Sequence, residues 1–131
     1  MSVAADIGTW LASGGYVGGS TGWTFGAEHR PSTPDKVVCA FGFAGGRPAT
    51  RPGPDRPGLQ IQVRGEEYGF SAADAKIAAI REAIDAVGVW PQTINSTSYR
   101  FIRANGSQFS LGLDDNRRPI LAANFDVGVS R

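Results

Sequence analysis

The chain has 131 residues, 41% of them hydrophobic, and a net charge of +1 at neutral pH. That length is one domain, spanning residues 1–131, with enough apolar residue to bury a core without a metal or a disulfide. The balanced charge and the pI of about 7.9 argue against a dedicated nucleic-acid binder, which carries a strongly basic face.

Residues 2–13 are expected to form a helix, because Val3, Ile7, Trp10 and Leu11 recur at helical spacing. Ser2 is placed to cap its start and Gly14-Gly15 to end it. Gly8 inside this helix costs about 1 kcal/mol relative to alanine. Residues 16–34 are glycine-rich and punctuated by Pro31 and Pro34, with a short strand expected at 23–27. Residues 37–43 are β-branched and aromatic and read as a strand.

Residues 44–58 combine prolines and glycines with Arg47, Arg51 and Arg56 and hold almost nothing to bury. They read as a long loop between two strands, and compact domains seldom keep such a loop without a use for it. Residues 59–65 alternate cleanly. Leu59, Ile61 and Val63 share one face, and Gln60, Gln62 and Arg64 share the other. Such a polar row is either the solvent face of a one-sided sheet or a wet subunit interface.

Residues 71–87 give the clearest helix, with Ala73, Ile77, Ile80, Ile84 and Val87 as the buried stripe. Ser71 and Asp74 are spaced as a capping box, and Gly88 is the stop. Strands are expected at 99–103, 108–113 and 120–129, with Asp114, Asp115, Arg117 and Arg118 in the turn before the last. The fold class is therefore α+β: a mostly antiparallel β-sheet, two helices packed on one face, and a long loop between two strands.

Enzymatic chemistry finds little support. His29 is the lone histidine and stands in a glycine-rich loop with no nucleophile motif nearby. Asp114 and Asp115 lack the further oxygen ligands of a calcium loop, and the arginines beside them compete for the carboxylates. The glycines of residues 14–22 meet neither the P-loop nor the Rossmann condition. Cys39 sits in an apolar run, where a core thiol is expected rather than a reactive one. No run reaches the roughly 18 apolar residues of a membrane span. Residues 1–11 lack the basic start and apolar stretch of a signal peptide, so Asn95-Ser96-Thr97 is not expected to be glycosylated. No catalytic residue, cofactor or metal is expected, and a small enzyme remains only a remote alternative.

Several pieces, in order, carry a resemblance. They are the approach Pro31-Ser32-Thr33-Pro34-Asp35-Lys36-Val37-Val38, the strand Pro57-Gly58-Leu59-Gln60-Ile61-Gln62-Val63-Arg64-Gly65, and Tyr68 before an alanine-rich helix. Residues 99–102, then Leu111-Gly112-Leu113-Asp114-Asp115-Asn116-Arg117, then Asn124-Phe125 complete the pattern. The sequence resembles bacteriophage minor capsid proteins that act as tail terminators.

The resemblance implies a structural subunit of a ring, expected to be hexameric, at the head-proximal end of a phage tail. The ring would end tube growth and meet the tail tube protein and a head-completion or stopper protein. DNA would be only a transient passenger through the lumen, no membrane would be involved, and the ring would be assembled in the host cytoplasm and carried in the virion. The expected interface residues are Arg47, Arg51, Arg56, Gln60, Gln62, Arg64, Asp114, Asp115, Arg117 and Arg118. A neighbouring joining protein, such as a stopper or tail-completion subunit, is the alternative.

Overall fold

The computed structural model describes residues 3–18, 21–43, 58–86 and 92–130. The first helix, α1, runs over Val3–Ser13 and buries Val3, Ala4, Ile7 and Leu11. It ends as the glycine pair demands. The Tyr16 N–H reaches the Leu11 carbonyl at 2.9 Å and the Gly15 N–H reaches the Ala12 carbonyl at 3.1 Å. That closing pattern needs a left-handed residue, and Gly15 supplies it at φ +78°.

Seven strands follow among the described residues: β1 (Thr24–Ala27), β2 (Val37–Phe43), β3 (Gly58–Arg64), β4 (Gln92–Ile94), β5 (Thr97–Ala104), β6 (Phe109–Leu113) and β7 (Pro119–Ser130). The second helix, α2 (Phe70–Asp85), lies between β3 and β4 in the chain. The sheet runs β1-β2-β3-β7-β5-β4, and β6 joins β7 off this path. β1 and β2 are parallel, and every other pairing is antiparallel.

The long strand β7 organises the sheet. β3 takes one edge of it, from Ile120 to Asp126. β5 and β6 share the other edge, β5 near its end and β6 near its start.

Both helices pack on the same sheet face. Val38, Ala40, Leu59, Ile61, Val63, Leu121, Ala123, Phe125 and Val127 form one core with the buried stripes of α1 and α2. The α2 stripe is Ala73, Ile77, Ile80 and Ile84, as its spacing predicts. Val87 and Gly88 lie outside the described residues.

Four details differ from expectation. α2 begins at Phe70 after Gly69, and no side chain caps it. The Asp74 carboxylate instead accepts a hydrogen bond from Gln108 Nε2 at 3.3 Å, so a tertiary partner replaces the capping box. Gly58 belongs to β3, paired with Phe43, and the rest of the expected 44–58 loop lies outside the described residues. Three residues too few for an alternation pattern form β4, closed onto β5 by a two-residue turn. Asn95 and Ser96 there take φ values of +50° and +68°.

Candidate functional site

A parallel pair of strands needs a crossover between them. Here residues 28–36 supply it, and they cross the sheet face away from the helices. Strand alternation puts Gln60, Gln62 and Arg64 on that face, so the polar row is largely covered. Gln62 is 9% exposed and Arg64 2%. Arg64 donates to the Pro34 carbonyl at 2.7 Å and the Asp35 carbonyl at 2.9 Å. Arg30 donates to Gln62 at 2.6 Å, Gln62 to Gln60 at 2.7 Å, and Gln60 to Asn124 at 2.9 Å.

The amide chain thus satisfies its own polar groups within the subunit. Cys39 is buried on the same face. Burial pushes its thiol up to about 11, against the pull of Arg30 and Arg64, so it is a neutral, inert group near pH 7.

Arg118 locks the crossover to the β6–β7 turn. Its Nε donates to Asp114 Oδ2 at 2.9 Å. Its Nη1 donates to the Ser32 carbonyl at 2.8 Å and to Asp35 Oδ1 at 3.1 Å. The guanidinium is 6% exposed and Asp114 16%, whereas Asp35 is 57% exposed. Asp114 Oδ1 also accepts the Asn116 and Arg118 backbone N–H groups, each at 2.9 Å. Asp115 and Arg117 are exposed at the tip of this turn. The sequence pairs Asp114 with its neighbouring arginines, but Asp35, distant in the chain, carries no signal of its part.

Burial works to raise the Asp114 pKa, but the backbone N–H groups of Arg118 and Asn116 and the Arg118 guanidinium outweigh it and hold the carboxyl below its ordinary value. A carboxylate depressed in the folded state stabilises the fold above the unfolded pKa of about 3.9 and loses that contribution as pH falls through the folded value. The stability gap between wild type and Asp114→Asn, measured by urea denaturation, is therefore expected to be full near pH 7 and to shrink as pH falls below about 3.9. A gap that does not change with pH would remove Asp114 from the acid response.

A second polar cluster holds α1 to the β4–β5 hairpin. Asp6, 5% exposed, accepts the Tyr99 hydroxyl and also Asn95 Nδ2, the latter at 2.9 Å. Burial, followed by the hydrogen bond and charge of Asp6, drives the Tyr99 phenol well above its ordinary pKa. Asp6 lies on the apolar side of α1, where spacing alone gives no hint of a buried carboxylate.

The exposed large apolar side chains among the described residues are Tyr68, Phe70, Phe109, Leu111 and Leu113. Three belong to β6, whose outer edge has no strand partner among the described residues. Tyr68 is tied to the β6–β7 turn through its N–H, which bonds the Arg117 carbonyl at 2.9 Å. The apolar pattern of 108–113 predicts the strand but not that it lies on an edge.

Of the expected interface residues, Asp115 and Arg117 stand exposed and Gln60 and Asp114 are half-buried. Gln62, Arg64 and Arg118 are buried in the chain's own framework. Arg47, Arg51 and Arg56 lie outside the described residues.

The α+β subunit thus has a largely covered polar face and several large apolar side chains exposed to solvent, a surface suited to protein contacts. Residues 5–130 match the family model of the bacteriophage tail terminator protein, and the chain belongs to that family. It is a structural tail protein. Among solved structures, a chain of the virion of a native gene transfer agent particle is similar, with a TM-score of 0.63 and 13% identity over 98% of this chain and 94% of that one. At that identity the likeness is one of fold. No curated protein sequence matches the chain.

Proposed function

We propose that the chain is the repeating subunit of a closed, hexameric ring at the head-proximal end of a phage-type tail, where it ends tube growth and receives the head-completion proteins. The family match over residues 5–130 carries this reading, because it spans the whole fold rather than one motif. The ring would work by assembly, without a catalytic residue or cofactor. Its partners would be other copies of itself, the tail tube protein and a stopper, with DNA passing through the lumen. A net charge of +1 suits a channel along which DNA slides rather than binds. Arg47, Arg51 and Arg56 are proposed to contact neighbours or the DNA path, and Asp115 and Arg117 to lie at ring contacts. The buried Arg64 and Arg118 would shape the turn behind those contacts. The ring would form in the host cytoplasm and remain at the neck of the virion.

The test is negative-stain microscopy of lysates from a phage with a nonsense mutation in this gene. Overlong tubes beside filled, tailless heads are expected. Tails of normal length that fail to join heads would instead make the protein a joining subunit, and intact infectious particles would sink the structural reading.

A further inference from the structure

We propose that residues 28–36 are a strap that opens as a unit while the sheet beneath stays folded, so that Gln62, Arg64 and Cys39 exchange between a sealed state and one that faces solvent. The polar row of β3 is then a surface presented only when the strap is open. This is a property of the single subunit and does not depend on the ring reading.

The strap is held by guanidinium groups. Residues 29–35 make no backbone–backbone hydrogen bond among the described residues. Apart from a local contact of the His29 ring with the Ala27 carbonyl, their bonds to the rest of the fold pass through three arginines. Arg64 reaches the carbonyls of Pro34 and Asp35, Arg118 reaches the Ser32 carbonyl and the Asp35 carboxylate, and Arg30 reaches Gln62. No residue from 28 to 36 is buried, and none belongs to the apolar core. A segment without buried apolar side chains opens at lower cost than the strands it crosses.

Both ends of the strap are anchored. The Glu28 N–H bonds the Ala40 carbonyl at 2.8 Å, and the Glu28 carboxylate accepts the Gly42 N–H at 3.0 Å. At the other end the Lys36 carbonyl accepts the Thr24 N–H at 3.2 Å. Only the span between these anchors is free to lift. What lies beneath it favours lifting. Arg64 is a buried charge with no carboxylate at ion-pair distance among the described residues. A guanidinium so placed regains water when uncovered, which offsets part of the lost hydrogen bonding.

Cys39 reports the motion. Gly26, Cys39 and Gln62 stand side by side across β1, β2 and β3. A Cβ on Gly26 would lie 2.7 Å from the His29 carbonyl oxygen and 3.0 Å from Pro31 Cδ, so the strap rests on that end of the row. The Arg30 guanidinium bonds Gln62 at the other end, at 2.6 Å. Its side chain therefore crosses over Cys39, which is buried and is the lone thiol of the chain.

The test follows labelling of the Cys39 thiol by Ellman's reagent in the full chain, at urea concentrations below the unfolding transition. Wild type is expected to label about tenfold or more faster than its globally unfolded fraction allows. The rate should hold a plateau as urea rises, since lifting a short strap exposes little surface. Arg118→Met removes the bonds to Ser32 and Asp35, while Arg118 has no bond to Cys39 or to β1. It should raise the plateau about tenfold or more. Asp35→Ala, at an exposed carboxylate, should raise it several-fold with the fold intact. Ile84→Val, in the core on the helix side, should move the unfolding midpoint to lower urea and leave the plateau where it is.

Labelling that tracks global unfolding at every urea concentration would overturn the strap. A plateau unchanged in both Arg118→Met and Asp35→Ala would also overturn it, because the exposure of Cys39 would then come from fraying of β1. The same holds for a plateau that Ile84→Val raises in step with its lost stability. If Arg118→Met does not fold, Asp35→Ala decides alone.

Discussion

Phe125→Ala is expected to destabilise the chain by about 3–5 kcal/mol, the usual loss when a buried aromatic ring is truncated. Phe125 is 1% exposed and lies on β7 between Leu59 of β3 and Ala104 of β5. The ring thus fills the middle of the sheet, on the face that carries the helices. Small flanking residues such as Ala104 and Ala123 cannot close over the void. A domain has roughly 5–15 kcal/mol of stability in all, so the variant should lose a large part of it. Urea denaturation measures the effect, and a loss below about 1 kcal/mol would mean that the ring is not in the core.

Arg118→Met is expected to cost about 3 kcal/mol, near the lower end of the range for removing one partner of a buried ion pair. Methionine retains much of the aliphatic stem, so the loss is chiefly polar. The two carboxylates respond differently. Asp35 is 57% exposed and regains water, whereas Asp114 is 16% exposed and keeps only its backbone donors. The Ser32 carbonyl also loses its donor. Adding Asp114→Asn to Arg118→Met should cost less than the sum of the two single changes, because the carboxylate left behind is part of the penalty. Strict additivity in a denaturation cycle would show that the pair contributes nothing jointly. The same variant should loosen residues 28–36, since Arg118 is one of the two arginines that hold them down.

Much of the framework was legible in the chain. The stripe of Ala73, Ile77, Ile80 and Ile84 located α2, and the alternation of Leu59, Ile61 and Val63 located β3, because those periods are properties of the local backbone. The cost of Gly8 in α1 was equally visible, but its reason was not. A Cβ at that position would overlap the Phe25 ring from β1, so the glycine admits an aromatic side chain against the helix. Likewise the glycosylation-like Asn95-Ser96-Thr97 proved to be a hairpin turn, and its Asn95 helps hold the buried Asp6.

By itself, then, the sequence determined the α+β class, the main elements, the two faces of β3 and the order of motifs that marks the family. Only the tertiary structure decided which polar residues are available to a partner. Gln60, Gln62 and Arg64 alternate as a solvent face would, yet the crossover of residues 28–36 covers the last two, and that cover depends on partners about 30 positions away in the chain. The apolar residues of β6 look like core by composition, yet they sit in water because β5 and β6 share one edge of β7 and nothing among the described residues pairs beyond β6. Periodicity records what a segment needs on each of its sides. Whether that need is met inside the subunit or by a neighbour is a matter of long-range packing, which no local pattern encodes.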